Sequence, residues 1–262
     1  MPNVDAALRE LIAGRRRARD ERRRTERQQR GFERFRRTVA ETETTSVGAA
    51  GVAPDSVGWT ASRSTTTADG CRRVRASFEE SVLPHVDDDA AGVYAALASE
   101  LSTEVAVALA SEGGGNLFTE PLRRAILDSV DQRLAEGRVM LRVLKRELSS
   151  LDDAVEALKS VTESLPSVDE ADLLLCDDGE LWTRRCRTTS LASDLEDAVQ
   201  VRQSTLDTVT ATDVKAGIGH DTVVEYLFGD RDTTYPALDA LLCGIRECRR
   251  RRDVLEAAIE EE

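Results

Sequence analysis

The residues with the clearest chemical potential form an arginine run near the start of the chain. Residues 15–30 read RRRARDERRRTERQQR, with nine arginines and three acids. A guanidinium can bond a phosphate or a carboxylate through two parallel N–H groups, so the run predicts contact with nucleic acid or with an acidic partner. The interspersed acids and the absence of aromatic residues within the run favour a simpler interpretation, which is a solvated helix with local ion pairs, or an arm lying on the protein's own acidic surface. The candidate contact residues are Arg15, Arg16, Arg17, Arg19, Arg22, Arg23, Arg24, Arg27 and Arg30.

Motifs for catalysis, cofactors or metals are weak. His85 precedes three consecutive aspartates at 87–89, which suggests a metal site, but adjacent acids at a helix start are more typical of N-terminal capping. Gly113–Gly115 precedes a predicted helix without the lysine and hydroxyl residue of a nucleotide loop, which favours a turn. His220 stands beside Asp221 at another predicted helix start, where capping is again the simpler role. The sequence therefore predicts no enzyme, no cofactor and no metal site.

A long amphipathic helix at Thr119–Leu165 is the element around which the rest is organised. Thr119 is a suitable N-cap, Pro121 is tolerated in the first turn, and Pro166 ends the run. At about 1.5 Å per residue the helix spans about 70 Å. Its heptad seam consists of two columns: Leu134, Leu141, Leu148, Val155, Thr162 and Gly137, Leu144, Leu151, Leu158, Leu165.

The flanking positions of this seam argue against a parallel homodimer. Such a dimer would set Arg133 against Arg138, and Glu147 against Asp152. Further apolar residues at Met140, Ala154 and Val161 widen the seam beyond a two-stranded stripe. We therefore expect a monomer in which this helix packs within an intramolecular antiparallel bundle.

Further helices complete an all-α prediction. They are expected at about 3–40, 71–83, 90–111, 188–208, 221–229 and 234–260. The expected organisation is an Arg-rich N-terminal helix at 1–41, a flexible linker at 42–70 and a helical bundle core at 71–262. The core is expected to be elongated and coiled-coil-like. Residues 168–187 fit either a hairpin or a short helix and loop, because Asp178–Gly179 is a turn signal.

The composition is acidic and poor in lysine. The net charge is −13, with only three lysines among 36 basic residues. Residues 1–40 carry 13 arginines and six acids, a net +7, which leaves −20 for the rest. This pattern resembles proteins of salt-in halophilic archaea; a GC-rich genome is the alternative source of the arginine bias. The chain has no signal-peptide pattern, no membrane-spanning run and five cysteines without zinc spacing, so a reduced cytoplasmic location is expected.

Three segments together resemble an uncharacterised haloarchaeal family, a domain of unknown function. They are LASEGGGNLFTEPLRRAILDSVDQRLAEGRVMLRVLKREL at 109–148, VQVRQSTL at 199–206 and VVEYLFGDRDTTYPALDALL at 223–242. The resemblance implies an all-helical fold and brings no activity, ligand or site residues. The hypothesis we favour is a non-catalytic interaction or scaffold module with a protein partner and no membrane contact. The alternative is a nucleic-acid-associated or regulatory protein acting through the Arg-rich helix.

Overall fold

The computed structural model describes residues 4–45, 65–86, 92–110, 117–207, 219–230 and 233–260. Within these ranges the chain is all-α, as predicted, with nine α-helices, one 3₁₀ helix and no strand. The α-helices are α1 Val4–Glu41, α2 Thr65–Ser81, α3 Gly92–Glu100, α4 Thr103–Ala110, α5 Glu120–Ser164, α6 Glu170–Leu173, α7 Asp178–Leu206, α8 His220–Phe228 and α9 Pro236–Glu260. The 3₁₀ helix is Leu83–His85.

The chain forms two compact units. The first unit comprises residues 1–22 and 139–262, and the second comprises residues 23–138. Helix α1 contributes apolar residues to two different cores. Leu11 is buried in the core of the first unit, and Phe32 and Phe35 are buried in that of the second.

The core of the first unit is built on the C-terminal part of α5. Five members of the predicted seam are buried there: Leu144, Leu148, Leu151, Val155 and Leu158. Ala154 and Val161 beside the seam are buried as well, whereas Leu141 and Thr162 are half-buried. The widened stripe that argued for an intramolecular bundle is therefore covered by the protein itself. Helices α7 and α9 pack closely at Gly244, because glycine has no side chain to hold them apart. A Cβ at this position would lie 2.7 Å from Cδ1 of Leu195 and 2.8 Å from Cδ1 of Leu158.

The core of the second unit contains aromatic side chains of α1 and α2. Phe35 and Phe78 meet edge to face, with ring centroids 5.4 Å apart. Arg133 of α5 donates from Nε to the carbonyl oxygen of Glu100 and from Nη2 to that of Ser99, at 2.9 and 2.6 Å. These carbonyls end α3 and have no partner within the helix, so Arg133 caps the C-terminus of α3.

Two predicted helices were wrong in their limits. The single helix at 90–111 is two helices, because the hydroxyl of Ser102 accepts a hydrogen bond from the amide of Val105 and starts α4. The helix placed at 188–208 begins at Asp178, where Asp177 accepts from the amide of Glu180 at 2.8 Å. Residues 168–187 are therefore a helix, a turn and a second helix, and the hairpin alternative is wrong.

Other boundaries agree with the local chemistry. The hydroxyl of Thr119 accepts from the amide of Leu122, as predicted for an N-cap, and α5 ends at Ser164 before Pro166. Helix α2 begins at Thr65, six residues before its predicted start. The aspartates at 87–89, the glycines at 113–115 and most of the predicted linker lie outside the described residues. Among the helices described, none is both long and apolar enough to cross a bilayer.

Candidate functional site

The first half of the arginine run contacts acids of the first unit. Nη1 of Arg15 and Nη2 of Arg19 each lie 3.0 Å from the same oxygen of Asp152. Nη1 of Arg17 lies 3.0 Å from a carboxylate oxygen of Asp230. These three predicted contact residues therefore already bind carboxylates of their own chain.

The second half of the run belongs to an exposed row of arginines, which we call the arginine row. Its spacing of three or four residues keeps it on one side of α1, opposite Phe32 and Phe35. The row extends past the predicted run to Arg34 and Arg37. These two arginines lie outside the dense arginine segment of the sequence, but their helical spacing places them on the same side of α1. The row consists of Arg23, Arg27, Arg30, Arg34 and Arg37, all exposed.

The positive field of the arginine row is felt by His85. The pKa of the His85 imidazole lies below its ordinary value, first because of partial burial and then because of Arg34 and Arg27. Arg30 adds a smaller contribution of the same sign. Because these arginine charges lower the pKa of His85, a change in the charge on the row should change that pKa.

A buried polar cluster joins three helices of the first unit. Nη1 and Nη2 of Arg202 on α7 donate to the two carboxylate oxygens of Glu147 on α5, at 2.7 and 2.9 Å. Nη1 of Arg202 also donates to the hydroxyl of Ser150 at 3.0 Å. Nε2 of His220, at the start of α8, lies 2.7 Å from Glu147. Because an ionised carboxylate only accepts, His220 carries a hydrogen on Nε2.

The electrostatics of this cluster favour an ionised Glu147. Its side chain is fully buried, as is that of His220, and Arg202 is 1% exposed. Burial by itself raises the pKa of Glu147, but hydrogen bonds from His220 and Arg202 and their charges outweigh it, so the pKa is lowered. Nε of Arg202 and Nδ1 of His220 are buried without a hydrogen-bond partner among the described residues. A substrate has no access to the cluster in this conformation, so its evident role is to fix α5, α7 and α8 together.

This cluster was not predicted, although the sequence contains a usable signal for it. Arg202 occupies a position on the apolar face of α7, in register with Leu191, Leu195 and Leu206. His220 is not a helix cap as expected, since its ring is buried against Glu147. An arginine on a core-facing position predicts a buried acid, but which acid it meets depends on the packing.

The turn between α6 and α7 exposes two leucines, and we call residues 169–182 the leucine turn. Leu174 is 82% exposed and Leu175 is 84% exposed. Trp182, in the second turn of α7, is 55% exposed, and the guanidinium of Arg185 lies 4.9 Å above its ring centroid. A run of three leucines predicts burial, yet only Leu173 is partly covered.

The leucine turn is held in place by its own backbone. The amide of Leu174 donates to the carbonyl of Glu170 at 3.1 Å, and that of Leu175 to the carbonyl of Asp172 at 3.3 Å. Cys176 and Leu181 are buried against Leu255 of α9 in a small separate core. The exposed leucines are thus presented by an anchored turn.

A groove beside Arg15 has a volume of about 530 Å³. Its lining is mostly charged, with Asp152, Glu156, Lys159 and Glu163, and Val155 is its one aliphatic member. Ligand pockets are typically apolar with a few polar groups, so this groove does not resemble a small-molecule site. Among the described residues, no group of three or more histidine, cysteine or acidic side chains could hold a metal ion.

These observations define the class as an all-α protein built from helical bundles. The chain belongs to the family described as DUF7260, a domain of unknown function, whose family model matches residues 9–252. The predicted resemblance to an uncharacterised domain family is therefore confirmed. Neither a curated protein nor a solved structure matches the chain.

Proposed function

We propose that this chain is a non-catalytic interaction module that binds a protein partner through the leucine turn. The observation that carries the proposal is the exposure of Leu174 and Leu175, at 82% and 84%, on a turn whose backbone is already hydrogen-bonded. Covering one leucine side chain contributes about 1.5–3 kcal/mol, so two adjacent leucines and Trp182 supply the centre of a contact surface.

The anchoring of the turn supports the same function. A mobile loop would lose conformational entropy on binding, whereas this turn is held by α6, by the cap at Asp177 and by the packing of Leu181 on α9. Family membership leaves this proposal open, since the family description names no activity.

The test is affinity capture with two matched variants. The double variant Leu174→Ser, Leu175→Ser removes the apolar centre of the turn, and Val201→Ser changes an apolar side chain that is 59% exposed elsewhere on α7. We expect one specific protein to be captured by the wild type and by V201S and to be lost with L174S/L175S. Equal capture by all three chains would refute the proposal.

A second candidate function, association with nucleic acid, is favoured by the arginine row. From Arg23 to Arg37 the row extends over 15 residues, with about 21 Å of helix between its ends, comparable to several phosphates along a duplex. The observation differs from the predicted run, because Arg15, Arg17 and Arg19 contact acids of their own chain. The row is exposed along its length, and it is the part of α1 that we expect to contact phosphate.

The arginine row can be tested separately from the leucine turn. The triple variant Arg27→Gln, Arg30→Gln, Arg34→Gln should weaken binding to duplex DNA and reduce the salt slope by about 0.9 per lost phosphate contact. The matched control neutralises three exposed arginines elsewhere, Arg142, Arg187 and Arg246.

The histidine beside the row supplies a second readout. Phosphates bound at the row should raise the pKa of His85, which NMR can follow through the imidazole signals, because they offset the arginine charges. Binding that leaves the pKa of His85 unchanged, or that both triple variants weaken equally, would exclude the row as the contact site.

A further inference from the structure

Resting on the proposed function of the leucine turn, we infer that the segment bound there is a basic amphipathic helix of a partner protein. The first observation is the negative charge of the segment around the two exposed leucines. Residues 167–182 contain six acids and no basic residue. All six acids are exposed, and they lie on both sides of the two leucines in the chain: Asp169, Glu170, Asp172, Asp177, Asp178 and Glu180. Two of them are partly compensated within the chain by Arg184, which lies 2.7 Å from Glu180 and also interacts electrostatically with Asp172.

This charge distribution discriminates between possible occupants. A second copy docking turn to turn would bring two acidic segments together, and an anionic membrane or a nucleic acid would be repelled in the same way. The arginine row of a second copy would supply cations, but it is a row of arginines on the side of α1 away from its apolar residues. A partner with lysine or arginine flanking an apolar stripe satisfies both the leucines and the acids.

The backbone of the turn decides between a helix and a strand as the partner. The amides of residues 172–176 donate to carbonyls within the turn, as they do in a helix. The turn therefore offers no strand edge to which a partner strand could add, and recognition must come from side chains. An amphipathic helix presents apolar residues at three- and four-residue spacing with basic residues beside them, which fits an apolar centre inside an acidic rim.

The experiment uses the full chain and defined peptides. The chain has two tryptophans, so Trp59→Phe leaves Trp182 as the only indole. Three peptides of about 18 residues, or five helical turns, serve as probes. They are a leucine–lysine peptide with helical amphipathic spacing, the same composition scrambled, and a leucine–glutamate peptide with the original spacing. Binding is measured from the emission of Trp182, which is expected to shift to shorter wavelength when the indole is covered.

The expected result is binding of the ordered leucine–lysine peptide alone. L174S/L175S should weaken that binding at least about tenfold, whereas V201S should not change it. Glu170→Gln with Asp172→Asn should also weaken it, and the weakening should fade as the salt concentration rises to about 1 M. The leucine variant separates binding at the turn from general attraction of a cationic peptide to an acidic protein.

Three results would overturn the inference. One is equal binding of the leucine–glutamate peptide, and another is binding of the leucine–lysine peptide that L174S/L175S leaves unchanged. The third is a dimer of the wild type, seen by sedimentation, that L174S/L175S dissolves. If the peptides fail while affinity capture still depends on Leu174 and Leu175, the proposed function stands and the basic helix is wrong. If capture is indifferent to these leucines, the proposed function itself fails.

Discussion

The buried cluster of the first unit makes the strongest stability prediction. Glu147→Gln keeps the shape of the side chain but removes its charge, leaving the guanidinium of Arg202 1% exposed without a counterion. The amide nitrogen of glutamine also faces one of the two Arg202 donors that now bind carboxylate oxygens at 2.7 and 2.9 Å. Removing one partner of a buried ion pair costs about 3–5 kcal/mol, and we expect a loss of unfolding free energy in that range.

A surface pair of the same chemistry supplies the control. Glu196 lies 2.8 Å from Arg249, but both side chains are more than half exposed, at 51% and 57%. Water and salt screen such a pair, so Glu196→Gln should cost no more than about 1 kcal/mol. The two variants thus make the same chemical change and differ in burial.

The measurement is equilibrium unfolding in denaturant, followed by two probes. Emission of Trp182 in the Trp59→Phe background reports on the first unit, and helical circular dichroism reports on the whole chain. An unchanged slope with denaturant is needed, since a changed slope would mean either that the surface exposed on unfolding has changed or that unfolding is no longer two-state. A loss below about 1 kcal/mol for E147Q, or one equal to that of E196Q, would refute the assignment of a buried, charged cluster.

A double variant tests the cause of the loss. Glu147→Met with Arg202→Met removes both members of the buried ion pair, so neither charge of the pair is left without its partner, and the double variant should cost less than E147Q alone even though it removes more hydrogen bonds. The pH dependence of the unfolding free energy also tests whether Glu147 is charged in the folded chain. The pKa of Glu147 in the folded chain lies below its ordinary 4.5, so its stabilising contribution is complete above 4.5 and is lost as the pH falls through the folded value. E147Q should therefore be less acid-sensitive than the wild type.

Three further predictions concern other parts of the chain. Hydrogen bonding from Arg250 lowers the pKa of Glu247 to about 2 from 4.5, so the stability advantage of the wild type over Glu247→Gln should shrink between pH 4.5 and 2, as acid denaturation curves can show. Cys186 is exposed and the other four cysteines are buried, so a thiol reagent should modify one cysteine rapidly and the rest only after unfolding; rapid modification of two would contradict this. A Cβ on Gly31 would lie 2.2 Å from the backbone oxygen of Ser81, so Gly31→Ala should lower the melting temperature, whereas Arg30→Ala beside it should not.

Much of the helical architecture follows from sequence periodicity. A periodic apolar pattern is a local property, and it placed α1, α5 and α9 within one or two residues of their observed ends. The N-cap at Thr119 and the stop at Pro166 also depend only on neighbouring residues. The break at Ser102 was not predicted, because the apolar pattern continues across it. The Ser102 hydroxyl accepts a hydrogen bond from the amide of Val105 and so replaces the backbone hydrogen bond of a continuous helix.

The two candidate contact surfaces were also only partly predictable from the sequence. The arginines of α1 are evident in the sequence, but which of them meet acids of their own chain depends on residues more than 130 positions away, as for Arg15 and Asp152. Leucine is usually buried, so the residue type gives no indication that Leu174 and Leu175 are exposed. Their exposure depends on tertiary packing, because Leu173, Cys176 and Leu181 of the same segment pack with Leu255 of α9, whereas Leu174 and Leu175 lie outside that cluster.

An acidic, all-helical chain with one basic helix is evident from the sequence alone, because charge and helical periodicity are read from neighbouring residues. Glu147 meets Arg202 and His220 only in the folded chain, since they lie 55 and 73 residues further along the sequence. The sequence does not show whether a charged residue at a core-facing position is buried, since the free-energy cost of burying the charge is offset only when packing supplies a counterion. The partner of each buried charge is therefore decided by the fold.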